Sequence, residues 1–140
     1  MTSTSDNNGI AILMTVTHKE LRNLFLNDEP VLLRATFPKA YLHSVPIPTL
    51  FVEKGSQGRI VAKGFCSFLL PTVGSSYMLA RAGITEKQYY KQFKDWSYAW
   101  EFRNILPAQG SIFDLVQLVS EKKQFKPVAN VPRGWCYVKL

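Results

Sequence analysis

The chain has 140 residues, about the length of one domain, so two independent domains would not fit. Hydrophobic residues make up 46% and charged residues 19%, which suits a packed core and excludes a disordered polymer. The formal net charge of +7 favours polyanionic partners, because each phosphate that a cation neutralises releases a condensed counterion. A solvated basic face without a partner is the alternative interpretation of this charge.

Residues 1–9 are predicted to be a flexible tail, and residues 10–140 a single domain. The start of the tail carries Asp6 and no Lys or Arg, which argues against a secretory signal. No run approaches the ~18 to 20 apolar residues that cross a bilayer. Cys66 and Cys136 have no nearby His or second Cys, which predicts buried thiols in a reducing compartment. We therefore expect a cytoplasmic protein without membrane contacts.

The first elements in chain order are two strands with a helix between them. The β-forming runs Ile10–Thr15 and Val31–Phe37 are predicted strands, and Pro38 ends the second. Thr17 and Glu20 form a capping box, in which a hydroxyl and a carboxylate satisfy each other's free backbone donors, so a helix is expected to begin there.

A hairpin and a second helix follow. Residues 49–54 and 59–70 are β-rich runs joined by the short glycine loop Gly55-Ser-Gln-Gly58. A second capping box, Thr85 to Gln88, predicts a helix that buries its aromatic residues and exposes its lysines. The aromatic residues are Tyr89, Phe93 and Trp96, and the lysines are Lys87, Lys91 and Lys94.

The last third of the chain is predicted to be mostly strand. Aromatic residues alternate with small or polar ones from Trp96 to Arg103, which is typical of a strand with one aromatic face. The segment Ile112–Val119 fits a strand or a short helix equally well, and Gly134–Leu140 is a further strand. The sequence thus predicts an α+β fold of five to seven strands and two or three helices.

The sequence contains no strong enzymatic motif. His18 and His43 are the two histidines, and neither lies near a nucleophile motif such as Gly-x-Ser-x-Gly. No spacing of His, Cys, Asp or Glu suggests a metal site, and no glycine loop ends in Gly-Lys-Ser/Thr. We therefore predict no catalytic residues, no metal and no cofactor, although an enzymatic role stays open.

The order of elements resembles the ASCH domains of the PUA-like superfamily. The resemblance rests on an Arg-x-x-x-Pro segment from Arg34, on Tyr-Ala-Trp-Glu-Phe-Arg-Asn ending at Asn104, and on a closing Gly-Trp at Trp135. It implies a small mixed β-barrel, partly open and closed at its ends by helices. It also implies a basic cleft beside the first helix that takes RNA or a nucleotide.

The family motif Gly-x-Lys-x-x-Glu-x-Arg is only partly present. Asn27 falls at its glycine, Glu29 at its lysine, Leu32 at its glutamate and Arg34 at its arginine. Some relatives hydrolyse acetylated cytidine with a Lys, a Thr and a Glu in the cleft. Glu29 cannot act as a cation and Leu32 cannot transfer a proton, which argues against that activity here.

The leading hypothesis is a non-enzymatic RNA-binding module, with RNA preferred over DNA and with basic residues holding the backbone while aromatic rings stack on bases. For Arg34, a structural salt bridge to Glu53 or Glu101 is an equally weighted alternative. Other basic residues, among them Arg133, lie close to Trp135 in the sequence. The predicted nucleic-acid contacts are Arg34, Lys39, Lys63, Arg103 and Trp135.

Two other functions remain open. One is a hydrolase of modified nucleosides or RNA that uses Lys63, Thr36 or Glu101 in a variant cleft. The other is a protein-interaction adaptor whose lysine-bearing helix docks on an acidic partner. The sequence does not predict the oligomeric state.

Overall fold

Strands make up most of the fold in the computed structural model, which describes residues 9–38, 46–71, 76–93, 98–119 and 124–140. The strands are β1 (Ile10–Val16), β2 (Val31–Arg34), β3 (Ile47–Glu53), β4 (Ile60–Pro71), β5 (Tyr98–Pro107), β6 (Val116–Val119), β7 (Gln124–Pro127) and β8 (Trp135–Lys139). The helices are α1 (His18–Leu26), α2 (Ser76–Ala82) and α3 (Glu86–Gln88), with α3 continuing as a π-helix over Tyr89–Phe93.

The described strands form one mixed sheet in the order β2-β5-β4-β3-β1-β8-β6-β7. β1 and β3 are parallel, and every other neighbouring pair is antiparallel. This arrangement confirms the α+β class. The eight described strands exceed the expected five to seven because the short strand β7 has no signal in the sequence.

Both faces of β1 are buried, which explains its continuous apolar sequence. Ile12, Met14 and Val16 pack into the main core with Trp100 of β5 and side chains from the neighbouring strands. The alternate residues of β1 pack into a second cluster, together with the 3-10 turn Ile112–Asp114. β1 is therefore the central element to which the segments around the cleft described below are attached.

Both predicted capping boxes are present. The Thr17 hydroxyl accepts from the Glu20 N–H at 3.1 Å, and the Glu20 carboxylate accepts from the Thr17 N–H at 3.0 Å. Thr85 and Gln88 make the equivalent pair of bonds at the start of α3. Each box fixes where its helix begins, because it satisfies backbone donors that have no partner within the helix.

Two local predictions needed correction, and a third was left open between two alternatives. β2 ends at Arg34, three residues before the predicted Phe37. The second helix becomes π-helical at Tyr89, so a single α-helical spacing does not continue to Phe93, and Trp96 lies outside the described residues. Ile112–Val119 contains both predicted alternatives in succession, a 3-10 turn and then strand β6.

Helix α2 was not predicted. It has seven residues, and Met78 and Leu79 pack with Val31 and Leu33 of β2 in a third apolar cluster. Tertiary contact with β2 stabilises this helix, since helices so short are marginal by themselves. No helix in the described parts of the chain is long and apolar enough to cross a membrane.

The turn between β3 and β4 requires a glycine at position 58. Gly58 has φ +84°, a left-handed conformation that favours glycine. A Cβ atom there would lie 2.6 Å from the Phe113 ring, so the hairpin loop fits closely against the 3-10 turn. This contact fixes the end of the hairpin that faces the cleft.

Candidate functional site

An open cleft of about 930 Å³ lies between the start of α1, strand β2, the β3–β4 hairpin and the segment before β8. Its apolar lining includes Leu32, Val131 and Pro132. Its polar and aromatic lining includes Lys19, Glu20, Arg34, Thr36, Arg133 and Trp135. A concave apolar site with a few convergent polar groups is the usual form of a ligand site in proteins.

Arg34 is held by acceptors within the protein. Its side chain is 7% exposed, and Nη1 and Nη2 lie 2.7 and 3.2 Å from the two carboxylate oxygens of Glu20. The guanidinium also donates to the carbonyl oxygens of Leu33 and Thr15, at 2.7 and 2.9 Å. The partner carboxylate is therefore Glu20, and not Glu53 or Glu101 as the salt-bridge alternative supposed. Arg34 joins β1, β2 and α1 at one wall of the cleft.

Trp135 has a fixed orientation on another wall. Its indole Nε1–H donates to the Thr36 hydroxyl at 2.9 Å, and the Trp100 Nε1–H donates to the Thr36 carbonyl at 3.1 Å. The Trp135 and Trp100 rings meet edge to face, with centroids 5.1 Å apart. Trp135 itself is only partly buried. The Trp135 ring therefore has a fixed orientation and exposes part of its surface to the cleft.

The segment that carries Trp135 is attached to β1. The Thr15 hydroxyl donates to the Pro132 carbonyl at 2.6 Å, and the Thr15 N–H donates to the Gly134 carbonyl at 2.9 Å. Because the Thr15 carbonyl also accepts from Arg34, this residue links the Trp135 wall to the Arg34 wall.

Three exposed cations surround the cleft: Lys19, Lys54 and Arg133. None of them forms an ion pair within the described part of the chain. With Arg34 and Glu20 included, the described lining has four positive groups against one carboxylate. The rim therefore favours an anionic ligand.

The structure brings together two of the predicted site residues, Arg34 and Trp135. Lys63 and Arg103 are exposed on β4 and β5, outside the cleft lining. Both lie near the exposed Phe65, which is opposite Arg103 in the strand register. Lys39 lies outside the described residues.

Arg103 belongs to a separate ionic network. It lies 3.0 Å from the carboxylate of Glu101, which is buried and also accepts from Arg81. Burial by itself raises the pKa of Glu101. Hydrogen bonds from Arg81 and Ser67, together with the positive charges of Arg103 and Arg81, outweigh that effect and hold this pKa below its ordinary value. Glu101 therefore remains ionised as a structural anion.

The residues named for a hydrolase do not meet in one place. Thr36 lines the cleft, Lys63 lies on an exposed strand surface, and Glu101 is buried in its ionic network. Across the described residues, no group of three or more His, Cys, Asp and Glu side chains is arranged to hold a metal ion. Of the helix lysines, Lys87 and Lys91 are exposed, and Lys94 lies outside the described residues.

The three exposed cations of the cleft are not among the contacts predicted from the sequence. Arg133 lies close to Trp135 in the sequence but is not one of the predicted contacts, and neither are Lys19 and Lys54. Lys19 lies inside the first capping box and Lys54 follows β3 at the hairpin loop. Their position beside element ends is a usable signal, since functional residues concentrate there, but it does not say which ends converge.

The described strands form one mixed sheet, and a cleft lies between α1 and the segment before the last strand. This fold is that of solved ASCH structures, so the fold implied by the resemblance in the sequence is confirmed. Structures of the ASCH protein from Zymomonas mobilis match 91% of this chain.

A Tyr-to-Phe variant of that protein matches with a TM-score of 0.62 at 10% identity over 88% of its own chain. The ASCH protein itself gives 0.58 at 10% over 86%, and a Ser-to-Ala variant gives 0.57 at 15% over 87%. No family model and no curated protein matches the sequence. At these identities the likeness establishes the fold alone.

Proposed function

We propose that this chain is a non-enzymatic nucleic-acid-binding module whose cleft holds single-stranded or locally open RNA. The observation that carries the proposal is the three exposed cations, Lys19, Lys54 and Arg133, around a cleft that also contains Trp135. Cations that form no ion pair with the described carboxylates are available for phosphates, and the indole can stack on a base of any sequence. The preference for RNA over DNA rests on the ASCH-type fold.

Arg34 has a supporting role in this proposal. Its guanidinium is occupied by Glu20 and by backbone carbonyls, so it holds the cleft wall and does not contact phosphate. Lys39, Lys63 and Arg103 remain predicted contacts.

The test is binding of fluorescently labelled RNA and DNA oligomers of about eight nucleotides at several salt concentrations. If three cations neutralise phosphates, the logarithm of the association constant should fall with the logarithm of salt with a slope of about −2. RNA should bind more tightly than DNA of the same sequence. Affinity that does not change with salt would overturn the proposal.

A matched pair of variants tests whether the cleft is the site. Arg133→Ala and Lys126→Ala each remove one exposed cation, and Lys126 lies on β7, at the sheet edge opposite β2. Arg133→Ala should weaken binding of all sequences alike, whereas Lys126→Ala should change it little. Equal losses in the two variants would mean that the basic charge acts without a defined site.

The proposal includes a reducing, cytoplasmic environment. Cys136 is partly buried, and the Cys66 side chain is buried in the main core. Burial raises the pKa of the Cys136 thiol to about 11, so it remains protonated at neutral pH. A buried, protonated thiol at Cys136 suits such a compartment.

A further inference from the structure

The Glu20 carboxylate has unused hydrogen-bonding capacity inside the cleft. Its oxygens accept one bond from the Thr17 N–H and two from Arg34. A carboxylate offers about four acceptor positions, so among the described residues one remains, on Oε2, which there takes a single bond, from Arg34 Nη1. The Glu20 side chain is 22% exposed and lines the cleft, so a bound ligand can reach this carboxylate.

The carboxylate is also held in place. The Thr17 N–H fixes one oxygen, and the buried Arg34 guanidinium bonds to both. A group held from two sides in this way does not turn to suit different ligands, and an acceptor fixed before binding loses little freedom on binding. Glu20 therefore has the two properties of a selective contact, a spare lone pair and a fixed position.

We propose that Glu20 selects bases that carry an exocyclic amino group (cytosine, adenine or guanine) over uracil. This inference rests on the proposed function, because it needs a base to enter the cleft. An ionised carboxylate only accepts hydrogen bonds, so it pairs with amino donors such as the cytosine N4 group. Uracil offers its one ring N–H between two carbonyl oxygens, and a carboxylate repels both of them.

The surrounding residues suit this role. Trp135 can hold a base by stacking, and Lys19 and Arg133 can hold the flanking phosphates. Neither kind of contact distinguishes cytosine from uracil. Among the described polar residues of the cleft, Glu20 is the acidic one, so selection for an amino group falls to it.

The experiment compares RNA oligomers of cytosine and of uracil, each about eight nucleotides long, at one salt concentration. The wild-type protein should bind oligo(C) about tenfold more tightly than oligo(U). Oligo(C) with both hydrogens of each amino group replaced by methyl groups should lose that advantage. These measurements need no variant, so they do not depend on any substituted protein folding.

The variant is Glu20→Gln. Glutamine can still accept from the Thr17 N–H at this capping position, and its amide can donate to the uracil carbonyl. The oligo(C) to oligo(U) preference should therefore fall to about one or reverse. A purely structural role would weaken both oligomers equally, as Arg133→Ala should. A thermal melt confirms that the variant is folded.

Each outcome supports or overturns the inference. Equal affinity of the wild-type protein for oligo(C), oligo(U) and the methylated oligomer, with a normal salt dependence, overturns the selection by Glu20 and leaves the proposed function intact. An unchanged preference in folded Glu20→Gln also overturns it. Absence of binding to any oligomer overturns the proposed function as well.

Discussion

Arg34 and Glu20 form a two-pronged ion pair, with nitrogen-to-oxygen distances of 2.7 and 3.2 Å. The same carboxylate caps α1 through the Thr17 N–H, and the same guanidinium donates to the Thr15 carbonyl in β1. One pair of side chains therefore joins three elements at the cleft. This pairing separates Arg34, which holds the cleft together, from Lys19, Lys54 and Arg133, which can contact a ligand.

Arg34→Ala should destabilise the folded protein, whereas its effect on phosphate contacts should be small. Removing the arginine leaves the Glu20 carboxylate without its counter-charge. Because Glu20 is partly exposed, we expect the free energy of unfolding to fall by about 2 to 3 kcal/mol. Urea denaturation measures it. Arg133→Ala is the matched control, since it should leave the urea midpoint unchanged. Equal midpoints for wild type and Arg34→Ala would contradict the assigned role.

Lys19→Ala and Lys54→Ala should each weaken RNA binding and reduce the salt dependence. Each cation that neutralises one phosphate of a single strand contributes about −0.7 to the slope of log affinity against log salt. Affinity titrations at about four salt concentrations measure this slope. A loss of affinity with an unchanged slope would show that these lysines do not act on phosphates.

Trp135→Ala should weaken binding of every single-stranded sequence by about 1 to 3 kcal/mol, because base stacking on an aromatic ring is worth that much. Thr36→Val is the control: it removes the hydroxyl that accepts from Trp135 Nε1 but keeps the ring. Its loss of affinity should be smaller. If both substitutions reduce the binding affinity equally, the orientation of the ring matters and stacking by itself does not account for the affinity.

The Glu101 network should make stability depend on pH. The folded-state pKa of Glu101 lies below its ordinary value, so its contribution is present above the unfolded-state pKa and is lost as pH falls through the folded-state pKa. Free energies of unfolding should therefore decrease toward acid pH. Glu101→Gln should be less stable than wild type at neutral pH and should lose part of this dependence. Parallel pH profiles for the two proteins would refute the assignment.

Cys136 should react slowly with alkylating reagents in the folded protein. Its pKa of about 11 leaves very little thiolate at pH about 8, and the thiolate is the reactive form. Mass spectrometry after timed treatment with iodoacetamide measures the rate, with urea-unfolded protein as the control. Equal rates in the folded and unfolded protein would contradict the effect of burial.

Local signals in the sequence were sufficient for much of the fold. The capping boxes at Thr17 and Thr85 placed the starts of α1 and α3, because the bonds that define them span three residues. The alternation around Trp100 predicted β5 for the same reason. Strand β7 carries no such alternation, since all four of its residues are exposed at the sheet edge, and it was missed.

The sequence by itself determined the mixed α+β class, the starts of α1 and α3 and the excess of positive charge. Only the tertiary structure decided that Arg34 is paired with Glu20 and that Lys19, Lys54 and Arg133 surround the same cleft. The reason is separation along the chain. Trp135 bonds to Thr36 across 99 positions, and no local pattern encodes which distant residues the sheet topology brings together.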